Sequence, residues 1–253
     1  MNERLEFAIK VAREAGTVML DNFGMAHDIE QKVDLSPVTA IDKQINRLVS
    51  ASLRAAFPDD GLLGEEESHG TGGETYQWIC DPLDGTKPYI LGLKNSVFML
   101  GLSKGGEMQM SVVYDPYENR MYHAVRGEGA FCDGKPVYVS EQRIDEGIVL
   151  LGADSYQYAP LLKQAAIAVE PVSGTGFKCM MIATGRGTGM INAVADFHDI
   201  GPGSLIVEEA GGRVTGLQGE RLDYRRDIGG VIVSNGAAHE SLLAIAARTN
   251  HPV

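Results

Sequence analysis

The sequence predicts a protein of α+β and α/β character, built in two halves and packed as one compact unit. Residues 1–145 form the α+β half and residues 146–253 the α/β half. Three observations predict it. Two early stretches carry apolar residues at helical spacing. Residues 96–140 read as a β-meander, short apolar runs separated by turn residues. From 146 onward, strand and helix candidates alternate.

Taken in order, Leu5, Ala8, Ile9, Val11, Ala12, Ala15, Val18 and Met19 place a helix over 3–23. Ser36-Pro37 reads as the start of a second helix, running to about Phe57 with Ile41, Ile45, Leu48, Val49 and Leu53 on its apolar face. Gly61–Gly64 is a short strand leading into the acidic run Glu65-Glu66-Glu67, and residues 68–75 form a Gly/Thr-rich loop. The meander strands are Val97–Leu102, Met108–Tyr114, Met121–Val125, Ala130–Cys132 and Val137–Val139. In the second half, Gly147–Gly152 is a strand, Tyr158–Ala168 a helix, Phe177–Ala183 a helix after the turn Ser173–Gly176, and Thr188–Val194 a strand. Asp199 reads as the N-cap of a helix closed by Gly211-Gly212. Strands Arg213–Thr215 and Val231–Ser234 and a helix over Ala238–Arg248 complete the chain.

Composition excludes several function classes. A net charge of −12 without a Lys/Arg run argues against a nucleic-acid polymer as partner. Three cysteines, odd in number and far apart, make neither a disulfide framework nor a zinc pattern, and suit the core of a cytoplasmic protein. No apolar run reaches transmembrane length and no signal peptide is seen.

The chemistry centres on Trp78-Ile79-Cys80-Asp81-Pro82-Leu83-Asp84-Gly85-Thr86. An apolar strand breaks into two carboxylates three residues apart, with Pro82 and Gly85 stiffening and shaping the turn. Two carboxylates with no basic residue between them repel, and a divalent cation relieves that repulsion. The Gly85 and Thr86 amides, with the Thr86 hydroxyl, can cradle an anion. Further acids stand at Glu65 and Glu66, at Asp199, and at Asp42 with Asp34. Each alone has an ordinary reading: solvated loop, helix cap, surface carboxylate.

Together these elements resemble the inositol monophosphatase family of Mg²⁺-dependent, lithium-sensitive phosphatases. One family signature is complete at Trp78–Thr86; a second runs from His198-Asp199 to Glu209-Ala210-Gly211-Gly212. Gly64-Glu65-Glu66 and Thr39–Asp42 supply the remaining elements in order. The resemblance implies a layered αβαβα sandwich of the sugar-phosphatase type, two to three Mg²⁺ ions, and a homodimer. It implies that Glu65, Asp81, Asp84, Asp199 and the carbonyl of Leu83 hold the metals. Asp42 and Thr86, with Glu65 beside them, would activate the attacking water. Gly85 and Thr86 would bind phosphate, and Asp84 would also reach a substrate hydroxyl. The implied activity is hydrolysis of a small phosphorylated substrate, a polyol or sugar phosphate, with myo-inositol monophosphate as lead. The alternatives are fructose 1,6-bisphosphate, histidinol phosphate or phosphoadenosine phosphate, or a metal-binding relative without turnover. A glycosidase is poorer, because Asp81 and Asp84 fall on one side of a site rather than astride a bond.

Departures from the family pattern fall around the alcohol to be released. His198 stands where the family has Trp; it is a packing substitute or a substrate contact. Lys87 follows the anion cradle, and adds charge there or faces solvent. Asn192 falls near the place of a family Glu that contacts the ring. Lys178, after Gly174-Thr175-Gly176-Phe177, meets a second anionic group or snorkels from a helix end. Ser173–Gly176, Thr175 included, reads as a wall of the pocket but lacks a P-loop ending.

Overall fold

The computed structural model describes residues 1–25, 29–31, 37–70, 75–226 and 228–249. Asp34, Ser36 and residues 71–74 of the Gly/Thr-rich loop lie outside the described residues. The elements, in order, are α1 (Asn2–Asn22), β1 (Ile29–Gln31), β2 (Pro37–Thr39), α2 (Ala40–Ala56), β3 (Gly61–Gly64), β4 (Gln77–Asp84), α3 (Thr86–Ile90), β5 (Val97–Lys104), β6 (Glu107–Asp115), β7 (Arg120–Val125), β8 (Gly129–Cys132) and β9 (Lys135–Pro136). The second half continues with β10 (Ile148–Leu151), a 3₁₀ turn over Ala153–Tyr158, α4 (Ala159–Ala165), β11 (Ala168–Pro171), α5 (Thr175–Ala183), β12 (Gly189–Ala195), α6 (Phe197–Glu209), β13 (Arg213–Gly216), β14 (Gly229–Ser234) and α7 (His239–Thr249).

Among the described residues the strands form a larger sheet, ordered β3-β4-β5-β6-β7-β8-β9, and a smaller one, ordered β11-β10-β12-β14-β13. Both are mixed: β3 runs parallel to β4 and the rest of its sheet is antiparallel, while β10 is parallel to β11 and β12. Period-2 alternation sorts the side chains into layers. Trp78, Cys80, Phe98, Leu100 and Leu102 face α1 and α2 in one core. Ile79, Val97 and Met99 face the opposite way, into a central core with Cys179 of α5 and Ile200 and Leu205 of α6. Met190, Val231 and Val233 reach that central core from the smaller sheet, while Ile191 and Ile232 turn outward to α7 and the 3₁₀ turn. The result is the αβαβα layering that the resemblance implied, with α5 and α6 shared by both sheets.

Local departures from expectation have local causes. The second helix begins at Ala40, not at Ser36-Pro37; Pro37 lies in a ribbon in which β2 pairs β1. The stronger start signal is a capping box in which the Thr39 amide and hydroxyl both donate to Asp42 Oδ2, at 2.8 and 2.6 Å. The expected helix Tyr158–Ala168 stops at Ala165, and β11 follows, paired with β10. The last meander strand lies at Lys135–Pro136 rather than Val137–Val139, where the Val139 amide instead donates to the Ala210 carbonyl. Asp199 is the third residue of α6 and not its cap. Asp196 caps that helix, and its amide donates back to Asp199 Oδ2 at 3.1 Å.

Candidate active site

β4 was expected to break at Asp81; it runs on to Asp84 through a bulge. Asp81 pairs with Met99 and Asp84 with Val97, so β4 spends one residue more than β5 over this interval. In a strand one extra residue reverses which face follows. Leu83 therefore packs with Trp78 and Cys80 against the outer helices. Asp84 returns to the face of Asp81, beside α5 and α6. Pro82, which has no N–H to give a ladder, fits in the bulge. Asp81 and Asp84 are 2% and 4% exposed, carboxylates placed where a core would begin.

The other elements converge on this bulge. Gly85 has φ 84° and ψ 46°, a left-handed turn that reverses the chain into α3 and sets Thr86 at its first position. The Thr86 hydroxyl lies 3.1 Å from Asp42 Oδ1 and 3.2 Å from the Leu83 carbonyl, either of which can accept its proton. Asp42, fully buried, thus faces Thr86 with one oxygen and its own helix cap with the other. The Glu65 amide donates to the Cys80 carbonyl at 3.1 Å, which ties the acidic turn to β4. Asn46 of α2 braces the same turn by donating to the Glu67 carbonyl at 3.0 Å. From the second half, the N-terminus of α5 clasps Asp84: the Thr175 amide donates to Oδ1 at 2.7 Å and the Phe177 amide to Oδ2 at 3.1 Å. Gly174 makes this approach possible. It has φ +86°, and a side chain there would meet Asp84 Oδ2 at 2.8 Å and the Asn95 carbonyl at 3.0 Å.

The electrostatics describe a crowded acidic centre. Burial pushes the Asp81 carboxyl well above the usual range, and repulsion from Glu65, Asp84 and Asp199 adds to it. Burial pushes Asp84 up to about 7; Asp199 adds to this, and the α5 amides oppose it. Asp42 is raised by burial, against the hydrogen bonds from Thr39, with a further push from Glu65. Asp199 is raised by burial and held back chiefly by the charge of His198. Burial first, and repulsion between neighbouring acids second, raises these carboxylates, and a divalent cation would offset both. The donors are hard oxygens, carboxylates and a carbonyl, which suit Mg²⁺.

These groups open onto a cleft of about 210 Å³. Of the residues singled out in the sequence, Glu65, Asp84, Gly85, Thr86, Thr175, Lys178, Asn192 and Asp199 line it. Asp81, Leu83 and Asp42 stand behind that lining. His198 is outside it too, with Phe197 edge-on to its ring at 5.3 Å and its Nε2 3.8 Å from Asp199 Oδ1. Asp196, His198 and Asp199 also bring potential metal-binding atoms within 4.8 Å of one another. Lys87 is exposed and lines the rim. Sequence reasoning missed the wall made by Gly152, Asp154, Ser155 and Val194. Gly152 follows the carboxyl end of a strand in the parallel part of a sheet, a recurrent place for ligand clefts, but the sequence does not show which strands pair.

A profile of the inositol monophosphatase family matches residues 1–251. The chain belongs to the inositol monophosphatase family. It is a phosphomonoester hydrolase. A histidinol-phosphatase of Chlorobaculum parvum is 33% identical over 252 residues, covering 96% of each chain. The structure of a Thermotoga maritima IMPase superposes with a TM-score of 0.92 at 27% identity, covering 98% of each chain. The structure of an IMPase/NADP phosphatase complexed with Mg²⁺ and phosphate superposes with a TM-score of 0.82 at 29% identity, covering 92% of this chain and 90% of that one. Among the described residues no helix is long and apolar enough to cross a membrane.

Proposed function

We propose that this family member is a Mg²⁺-dependent phosphatase of small polyol or sugar phosphates, with myo-inositol monophosphate as its reference substrate. The single observation that carries the reading is the Thr86 hydroxyl held 3.1 Å from buried Asp42, beside the acidic centre. Glu65, Asp81, Asp84, Asp199 and the Leu83 carbonyl would hold two to three Mg²⁺ ions. Bound there, Mg²⁺ supplies Lewis acidity toward the phosphoryl oxygens, the attacking water and the departing alkoxide.

The chain's own groups do the rest. Asp42 is a stronger base than an ordinary carboxylate because burial raises its pKa. When Thr86 donates to Asp42, its oxygen lone pairs face the cleft and accept a hydrogen bond from the attacking water. The proton then passes to the Thr86–Asp42 pair as the water adds to phosphorus. Glu65, on the acidic turn after β3 at the cleft edge, orients that water. The Gly85 and Thr86 amides take the phosphoryl oxygens, whose charge moves as the ester bond breaks. The clasp of α5 on Asp84 fixes one carboxylate against the second half of the chain, and Asp199 approaches from that half. Thr175, Lys178 and Asn192 line the side where the released alcohol would sit, with His198 outside the lining beside Asp199.

A panel of myo-inositol 1-phosphate, fructose 1,6-bisphosphate, histidinol phosphate and phosphoadenosine phosphate, each with Mg²⁺, tests the reading. Phosphate release from at least one member supports it, and release from none overturns it. The same reading places the protein in the cytoplasm as a lithium-sensitive homodimer. Light scattering and a lithium titration of the activity check the last two.

A further inference from the structure

Lys178 lines the cleft and is only 2% exposed. It lies one turn after Thr175 on α5, and its Nζ donates to Asn192 Oδ1 at 3.0 Å. Asn192 donates through Nδ2 to Thr175 Oγ1 at 3.1 Å, and the Thr175 amide donates to Asp84. A run of hydrogen bonds thus links the acidic centre to the Lys178 ammonium. Gly152 closes over that ammonium, since a side chain there would come within 2.8 Å of Nζ.

An ammonium carries three donors, and the described protein acceptors take one, through a neutral amide. Among the described residues no carboxylate lies within the 4.0 Å of an ion pair with Nζ. Burial lowers its pKa, and Asp84, Asp199 and Asp154, acting from farther away, oppose that and favour its charge. A cation withdrawn from water is costly to keep unless something pairs with it. Packing alone does not explain it, because Cys179, Met180 and Ile182 on the same helix fill their sites with apolar atoms. Asn192 fixes the amine's direction, and the cleft is the remaining source of a partner.

We propose that Lys178, aimed by Asn192, is a specificity-determining residue that takes a second anionic group, a carboxylate or a second phosphate, carried by the leaving alcohol. This rests on the phosphatase reading of the site and narrows its substrates. The competing role is electrostatic: Lys178 only offsets the surplus of acid, and treats all esters alike.

Matched esters separate the two. Fructose 1,6-bisphosphate is compared with fructose 1-phosphate, and 3-phosphoglycerate with glycerol 1-phosphate, all with Mg²⁺. The wild type is expected to favour at least one anionic member in kcat/KM by roughly 10–100-fold, the value of a charged hydrogen bond. The pair that responds tells phosphate from carboxylate. In Lys178→Gln the preference is expected to collapse toward one. Asn192→Asp, which sets a carboxylate against Nζ and keeps the lysine, is expected to do the same, so the test survives if one variant does not fold. Isothermal titration of fructose 6-phosphate and of glycerate, the released anionic alcohols, gives a readout without turnover. Lys178→Gln is expected to weaken the responding one by a similar factor.

Hydrolysis by the wild type with no preference in either pair overturns this proposal and leaves the phosphatase reading standing. So does an equal loss on anionic and neutral esters in both variants. No hydrolysis of any ester overturns both.

Discussion

Asp84→Asn tests the electrostatics of the site by its effect on stability, apart from activity. The Asp84 pKa rises from 3.8 to about 7, chiefly through burial. A raised folded pKa means that the native state holds the proton more tightly than the unfolded chain. The stability linked to Asp84 is therefore full below about 3.8 and is lost as the pH rises through about 7. Moving from 3.8 to about 7 is worth about 4 kcal/mol in the metal-free protein at pH 8. Asparagine removes that charge at a cost. Both Asp84 oxygens accept helix amides, from Thr175 and Phe177. An asparagine NH₂ must face one of them, which costs about 1–3 kcal/mol. The balance leaves metal-free Asp84→Asn more stable than wild type at pH 8 by about 2 kcal/mol, or roughly 4–8 °C in Tm. At pH 4 the wild-type carboxyl is protonated, only the mismatch remains, and the variant becomes the less stable one. Thermal unfolding in EDTA from pH 4 to 8, followed by circular dichroism, reads this crossover. Parallel Tm curves, or a variant less stable at every pH, would refute the reasoning. With Mg²⁺ added, the order at pH 8 reverses, because the metal stabilises the carboxylate form that only the wild type has.

Other outcomes follow from single contacts. Thr86→Ala should lower kcat on the order of 10²-fold while leaving the Mg²⁺ concentration for half-activation nearly unchanged, as steady-state kinetics will show. Gly174→Ala forces a Cβ toward Asp84 Oδ2 and a backbone that alanine resists. It should cut kcat/KM by about 10²-fold with an unchanged far-UV spectrum. Asp60 accepts from Arg4 and from the Trp78 indole at 3.0 Å, joining α1 to β4. Asp60→Ala should lower stability by about 2–3 kcal/mol in urea unfolding with Mg²⁺ affinity intact, because it lies away from the cleft.

The sequence was most legible where a residue's local role and its global role coincide. The apolar stripes of α1 and α2 and the alternation in β5, β6 and β14 are visible because one face of each element is buried. The acidic residues were legible as a group through their order along the chain, not through any one of them. What hid was non-local. Nothing local to Trp78–Thr86 tells that β4 survives Pro82 by bulging, and that bulge is what puts Asp84 on the face of Asp81. Asp199 looked like a cap because it begins an apolar helical run, whereas Asp196 takes that role three residues earlier. β11 hid in the tail of a helical pattern because its partner, β10, is twenty residues away. The wall at Gly152–Ser155 depends on which strands lie side by side, which periodicity does not report.

Release of inorganic phosphate by metal-stripped protein, with and without added Mg²⁺, compares wild type with Asp199→Asn on the ester that the panel selects. Asp199 reaches the centre from the second half of the chain, so it tests whether the two halves build one site. The expected result is no release in EDTA, recovery with Mg²⁺ in the wild type, and little recovery in a folded Asp199→Asn. Release that persists in EDTA, or near wild-type turnover by Asp199→Asn, would contradict it.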